Sequence, residues 1–312
     1  MILSVSRRTD IPAFFSKWFY KRIEDGKVYV RNPMNYHHIS EIDISPSQID
    51  CIVFWTKNPS KDFIDNLYKL DNLKIPYYFQ FTITSYNKQI ECNVPEKKEI
   101  INKFIELSNK IGKEKVIWRY DPILFNDNYT LEHHKKYFSI MMDHLHSYTN
   151  KCIFSFIDVY PKIQKSLIKN NVYNPDISLI NELAKFMNDY AKHYNIHLET
   201  CSEKIDFTSI GIKKGHCIDN NLINKITNNN FIIPKDKNQR LECGCVESID
   251  IGTYNTCKHN CIYCYANWNK PTDTNYNPES LLLCSDISEK DIIHKRKINP
   301  LKFCQNELPF EE

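Results

Sequence analysis

Glycine is scarce in this chain, with six residues among 312. So few glycines allow few left-handed turns or close backbone approaches, and those that remain are expected where the chain cannot do without them. No apolar run reaches 18 residues, and the apolar stretch in Met1-Ile2-Leu3-Ser4-Val5-Ser6-Arg7 is too short for a signal peptide. Neither a membrane span nor a secretory leader is expected, and the expected compartment is the cytoplasm. A formal charge of +3 is too slight to argue for a nucleic-acid partner. The chain has no internal repeat and no low-complexity linker. Its eleven histidines form no HExxH motif, and the adjacent pairs His37-His38 and His133-His134 would point apart on a helix.

Cysteine, by contrast, is abundant. Twelve cysteines in a reducing compartment point to metal or cluster ligation rather than a disulfide framework. Three of them, Cys257, Cys261 and Cys264, form a C-x3-C-x2-C run with Tyr263 before the last cysteine and Tyr265 after it. Three thiolates on one short loop can occupy three corners of a cubane iron–sulfur cluster, which normally takes four. The fourth corner then comes from elsewhere or stays open. Structural zinc, with His259 or another cysteine as fourth ligand, is the alternative, although zinc sites usually pair two short spacings across a longer segment.

The loop resembles that of the radical S-adenosylmethionine (SAM) enzymes, and its Cys261-Ile-Tyr263-Cys264-Tyr265-Ala266 tail is similar to the branch related to spore photoproduct lyase. Its late position, together with Ser6-Arg7-Arg8-Thr9-Asp10-Ile11-Pro12 and Phe54-Trp55-Thr56-Lys57-Asn58-Pro59, resembles an uncharacterised bacterial and archaeal family with such a cysteine cluster at its C-terminal end. The resemblance runs from Ser6 to Tyr265. It implies a 4Fe–4S cluster on Cys257, Cys261 and Cys264 whose open iron chelates SAM. A low-potential donor such as flavodoxin or ferredoxin would supply one electron, and the resulting 5′-deoxyadenosyl radical would take a hydrogen from a small-molecule or peptide substrate that the sequence does not name. The Gly-Gly-Glu run that many such enzymes use for the SAM amine is absent.

The rest of the chain reads as alternating β and α segments. Strands are expected at Ile2–Ser6, Ile49–Trp55, Tyr77–Thr84, Lys115–Tyr120, Lys151–Val159, Ile196–Cys201 and Val246–Ile251. Helices are expected at Phe14–Glu24, Lys61–Leu70, Glu96–Ile111, Leu131–Tyr148 and Ile177–Tyr194. Near-continuously apolar strands between helices indicate parallel β/α units. The expected fold is one domain over 1–312, a partial or full TIM-like barrel, with a doubly wound open sheet as the alternative. Residues 1–205 would carry the main units, 206–245 a cysteine-bearing connection and 246–312 the cluster-loop strand and tail. With that strand set beside Ile2–Ser6, the barrel would be circularly permuted.

In such folds the ends of the strands carry the chemistry. Those positions hold Arg7, Arg8 and Asp10; Thr56, Lys57 and Asn58; Arg119 and Asp121; Asp158, Tyr160 and Lys162; and Glu199, Cys201 and Glu203. Each alone reads as a rim charge, and their concentration is what suggests a site. Lys57, Arg119, Asp121 and Glu199 are the expected catalytic groups. Arg7, Asp10, Glu203, Tyr263 and Tyr265 are the expected cofactor contacts, since carboxylates suit a ribose or amine and guanidiniums a carboxylate. Lys57, Arg119 and Asp121 are expected to meet at the open iron.

Cys201, Cys217, Cys243 and Cys245 make a second set of four thiols, with Gly244 between the last two. A second 4Fe–4S cluster, a structural zinc or free thiols all fit. Two other functions are compatible with the chain: an iron–sulfur electron carrier or sensor that does not cleave SAM, and a nucleic-acid lesion repair enzyme. The polar strand ends argue against the first, and the lack of a basic, aromatic-rich patch against the second.

Overall fold

A computed structural model describes residues 1–268 and 276–304. Eleven strands are assigned there: β1 (Ile2–Val5), β2 (Lys27–Arg31), β3 (His38–Asp43), β4 (Cys51–Thr56), β5 (Tyr77–Thr82), β6 (Val116–Ile123), β7 (Lys151–Phe156), β8 (His197–Thr200), β9 (Lys213–Lys214), β10 (Ile249–Asp250) and β11 (Ile292–Lys295). Eight of them form one sheet in the order β10-β1-β4-β5-β6-β7-β8-β9. Every pair in it is parallel. Parallel neighbours require crossovers, and helices supply them, among them Ser16–Asp25, Lys97–Ile111, Leu131–Leu145 and Ile177–His193.

The strands are apolar on both sides because both sides are covered. Leu3, Ile52, Phe54, Phe79, Phe81 and Trp118 pack with the helical layer. The alternate residues Ile2, Val53, Tyr78, Ile117 and Ile153 pack instead against Cys217, Ile218, Phe231, Cys243, Cys245 and Val246. The connection from 215 to 246 therefore lies across the second face of the sheet, and it brings three cysteines of the second set there. It is held by Tyr78 Oη and Gln80 Nε2, which both donate to the Cys217 carbonyl at 2.8 Å.

The helices follow their sequence signals. In Lys97–Ile111 the buried residues are Ile100, Phe104, Leu107 and Ser108, one helical stripe. Thr130 caps Leu131–Leu145 through His133 N at 3.3 Å, and Asp176 caps Ile177–His193 through Leu179 N at 2.8 Å. The 61–72 stretch divides into two short helices, Lys61–Asp65 and Tyr68–Asn72.

β10 pairs with β1 in the parallel sense, Leu3 beside Ile249 and Ser4 beside Asp250. The C-terminal segment thus joins the sheet next to the N-terminus. The expected strand over 246–251 is shorter than its apolar pattern implies, because Val246 is drawn off to pair with Lys235 and to donate to the Ile218 carbonyl. The pattern also hid a separate small sheet, β11-β3-β2.

Candidate functional site

The loop after β10 is set by Asp250. Its carboxylate accepts from Ser4 Oγ (2.8 Å), Ser6 Oγ (2.6 Å), Arg7 N (2.7 Å) and Gly252 N (3.0 Å). This clamps the ends of β1 and β10 so closely that a Cβ on Gly252 would meet Ser6 Oγ at 2.0 Å, so only glycine fits. The loop then folds back, with Asn255 N donating to Ala266 O at 2.9 Å, Cys264 N to Cys261 O at 3.1 Å and Asn267 Nδ2 to Cys257 O at 2.8 Å.

Cys257, Cys261 and Cys264 are mutual electrostatic neighbours inside this turn. Backbone N–H groups of His259 and Asp10 lie against the Cys257 sulfur, and those of Ala266 and Asn267 against the Cys264 sulfur. Burial, and then the neighbouring Cys264 and Asp10 charges, push the Cys257 thiol up to about 12, while the two N–H groups work the other way.

The loop seats on residues that follow β4 and β5. Ile262 N donates to Ile90 O at 3.0 Å and Asn93 N to His259 O at 3.0 Å. His259 is buried and its Nε2 meets Asp10 at 2.8 Å, while Nδ1 has no partner among the described residues. Asp10 also accepts from Lys57 N at 2.7 Å and caps the turn of Ile11–Phe14 through Ala13 N at 3.0 Å. Asp10 therefore joins three segments around the loop. Beside it is a buried ion cluster: Glu91 accepts from Lys57 Nζ at 2.8 Å and Thr84 Oγ1 at 2.8 Å, and also from Lys97 Nζ and Tyr263 Oη. Burial would raise the Glu91 carboxyl, but Lys57 and Lys97 outweigh it and hold it well below the usual range. Glu91 and Lys97 went unnoticed in the sequence, where nothing marks a lone loop carboxylate or a helix-start lysine.

The second cysteine set also comes together. The Cys201 and Cys217 sulfurs are 3.2 Å apart. Cys217 is an electrostatic neighbour of Cys245, and Cys245 of Cys243. Ile218 N points at Cys245 Sγ at 3.4 Å. The Arg119 guanidinium lies 2.6 Å from Cys217 Sγ and pairs with Asp121, which also accepts from Ser155 Oγ. Gly244 runs so close to His216 that a Cβ would fall 2.2 Å from the ring. The Trp55 indole has the Arg119 guanidinium 5.2 Å and the Arg7 guanidinium 5.7 Å from its centroid.

Five of the nine expected catalytic and cofactor-contact residues divide between these two places. Lys57, Asp10 and Tyr263 belong with the three-cysteine loop. Arg119 and Asp121 belong with the second cysteine set, although the Asp121 charge still reaches Lys57. Tyr265 is partly exposed; its hydroxyl donates to Arg7 O at 3.2 Å and its ring lies 5.5 Å from Tyr160. Glu203 accepts from Phe156 N at 2.7 Å, and burial raises it to about 7. Glu199 sits one layer below Cys201, in an ion pair with Lys151 at 2.9 Å that extends to Asp219 at 3.0 Å. Among the described residues no group of three or more His, Cys, Asp or Glu is arranged around one metal-ion position. A cubane cluster does not require that, since each thiolate binds a different iron.

Residues 2–266, spanning both cysteine sets, match the family described as Domain of unknown function (DUF1848). The chain belongs to that family. No curated protein and no solved structure matches it. The DUF1848 match ends at Ala266, two residues beyond Cys264, so both cysteine sets and the ion cluster around Glu91 fall inside it, while β11 falls outside. Among the described residues no helix is long and apolar enough to cross a membrane.

Proposed function

We propose that this chain is a radical SAM-like iron–sulfur enzyme built on a circularly permuted (β/α) partial barrel, with the β10 loop as its cluster loop. The observation that carries the reading is the loop itself: three cysteines in C-x3-C-x2-C spacing after a strand that pairs with β1, with backbone N–H groups at two of the sulfurs. The residues present fit a 4Fe–4S cluster, because N–H donors around thiolates stabilise their charge and tune such clusters. Cys257, Cys261 and Cys264 would hold it, and with SAM bound it would supply the 5′-deoxyadenosyl radical that begins the reaction. An electron donor of the flavodoxin or ferredoxin type would serve it.

The chain's own share is positioning and exclusion of water. Asp10 ties His259 and the Lys57 backbone to the loop, and Glu91 ties Tyr263 and the Lys57 side chain to it. The fully buried Glu91, with its two lysines, fixes charge beside Cys261. The four thiols of Cys201, Cys217, Cys243 and Cys245 form a second iron–sulfur site in this reading, with the Arg119 guanidinium against it as counter-charge.

Anaerobically purified protein tests the reading. Brown cluster absorbance is expected, with an electron paramagnetic resonance signal after reduction that changes when SAM is added. Replacing Cys257, Cys261 and Cys264 together by Ala should remove the SAM-responsive signal. Stoichiometric zinc with no iron would sink the reading, and iron without any SAM response would favour an electron carrier.

A further inference from the structure

A cavity of about 450 Å³ opens beside the cluster loop, between the β1/β10 edge of the large sheet and the small sheet. Its lining includes four guanidiniums, Arg7, Arg8, Arg31 and Arg296, against two carboxylates, Asp236 and Asp250. That volume lies within the range of small-molecule sites.

The four arginines are not equivalent. Arg31 is fully engaged: it grips Asp291 at 2.7 and 3.0 Å and donates to the Tyr36 and Asp286 carbonyls and to Ser285 Oγ. It holds the small sheet together. Arg7 and Arg8 are mostly buried, with side chains 16% and 22% exposed, yet each makes one side-chain hydrogen bond among the described residues: Arg7 to Ser248 Oγ at 2.8 Å and Arg8 to Gly252 O at 3.4 Å. A guanidinium carries five N–H donors. Each guanidinium is ion-paired at 3.8 Å, Arg7 with Asp236 and Arg8 with Asp250, a separation too long for a hydrogen bond to use its donors. Both carboxylates are occupied elsewhere, Asp250 by the loop clamp and Asp236 by Asn238 N at 2.9 Å and Gln239 Nε2 at 3.3 Å. Arg296 is exposed on the opposite wall, and its side chain has no partner among the described residues. The Arg8 guanidinium lies over Tyr254, 5.2 Å from its centroid, which fixes the direction of its free donors.

Two enclosed cations with unspent donors, and a third across the gap, ask for an anion with several oxygens. We propose that this cavity binds the phosphate group of a small phosphorylated molecule, held by Arg7, Arg8 and Arg296. Guanidinium forks match tetrahedral oxyanions in geometry and charge. Tyr265, next in sequence to Cys264, lines the cavity and donates to Arg7 O. The cavity therefore borders the cluster loop. Resting on the function proposed above, the phosphorylated molecule is the substrate, anchored here with its reacting end toward the loop; the anion binding itself does not depend on the cluster.

Calorimetric titration of the anaerobically reconstituted protein with inorganic pyrophosphate, and separately with citrate, tests the assignment. Pyrophosphate is expected to bind, more weakly as salt rises, and more tightly than citrate. Arg8→Ala and Arg296→Ala should each weaken it by about tenfold or more, with iron content unchanged. Arg240→Ala, at an ion pair with Asp158 outside the lining, should leave it as in the wild type. No pyrophosphate binding, tighter citrate binding, or equal loss in the Arg240 variant would overturn the proposal. SAM-responsive resonance measured on the same samples separates the two readings: its loss with pyrophosphate binding retained counts against the cluster alone.

Discussion

Cys201 and Cys217, sixteen positions apart, bring their sulfurs to 3.2 Å at the end of β8. A single tetrahedral metal with bonds near 2.3 Å would set its sulfurs roughly 3.8 Å apart, and the thiolates of a cubane, each on its own iron, stand further apart still. Binding must therefore spread this set. Full reconstitution should give about eight irons per chain, against about four for one cluster. Cys201→Ser with Cys217→Ser should bring the count down to the lower value. Four irons in the wild type, unchanged in the double variant, would mean that the second set holds no cluster.

The Arg119 guanidinium lies against the Cys217 sulfur, while Lys57 has Cys261 among its charged neighbours. Removing Arg119 would strip the counter-charge from buried thiolates, a loss of about 2–5 kcal/mol. Arg119→Ala should lose iron from the second set while keeping the SAM-responsive signal of the first. Iron analysis beside resonance spectra reads both. Loss of the SAM response with all iron retained would put Arg119 back at the first cluster.

Glu91 is 1% exposed and forms ion pairs with two lysines. Breaking a buried ion cluster from one side typically costs about 3–5 kcal/mol. Glu91→Ala should lower denaturant stability by that order, and Thr84→Ala, which removes only one of the hydrogen bonds to it, by about 1 kcal/mol. Equal stability of Glu91→Ala and wild type would mean that the cluster contributes nothing.

His134 is fully buried, with Nδ1 2.8 Å from Tyr120 Oη and Nε2 2.9 Å from Leu124 O. Burial lowers its pKa to about 4. An unfolded histidine titrates near 6.5, so between these values the unfolded chain binds the extra proton and gains from acid. Stability from this group is intact above about pH 6.5 and falls as pH descends toward 4, by about 3 kcal/mol in all. His134→Gln, which can keep both contacts, should flatten that part of the acid profile. Identical acid slopes in denaturant titrations would contradict it.

The parallel series was legible because strands covered on both faces read as apolar runs, as in Cys51–Thr56 and Tyr77–Thr82. β2 and β3 were not: they are mostly half-exposed, and their charged residues break the run. Both cysteine sets could be read from residue type alone, since few other uses explain so many thiols. Which polar residue serves which set could not. Arg119 lies within the apolar β6 and Lys57 just after β4, and only the path of the 215–246 connection across the sheet gives Arg119 to Cys217. The arginine cavity was hidden for a similar reason: Arg7 and Arg296 come from opposite ends of the chain and meet only because β10 and β11 return to the N-terminal strands.

The most direct measurement is SAM cleavage by the reconstituted, reduced protein, followed as 5′-deoxyadenosine under anaerobic conditions. The wild type should form it, and the variant with Cys257, Cys261 and Cys264 all changed to Ala should not. A fully iron-loaded wild type that releases no 5′-deoxyadenosine above the level of the triple variant, with and without a phosphorylated substrate pool, would contradict the assignment of this loop as a SAM-cleaving centre.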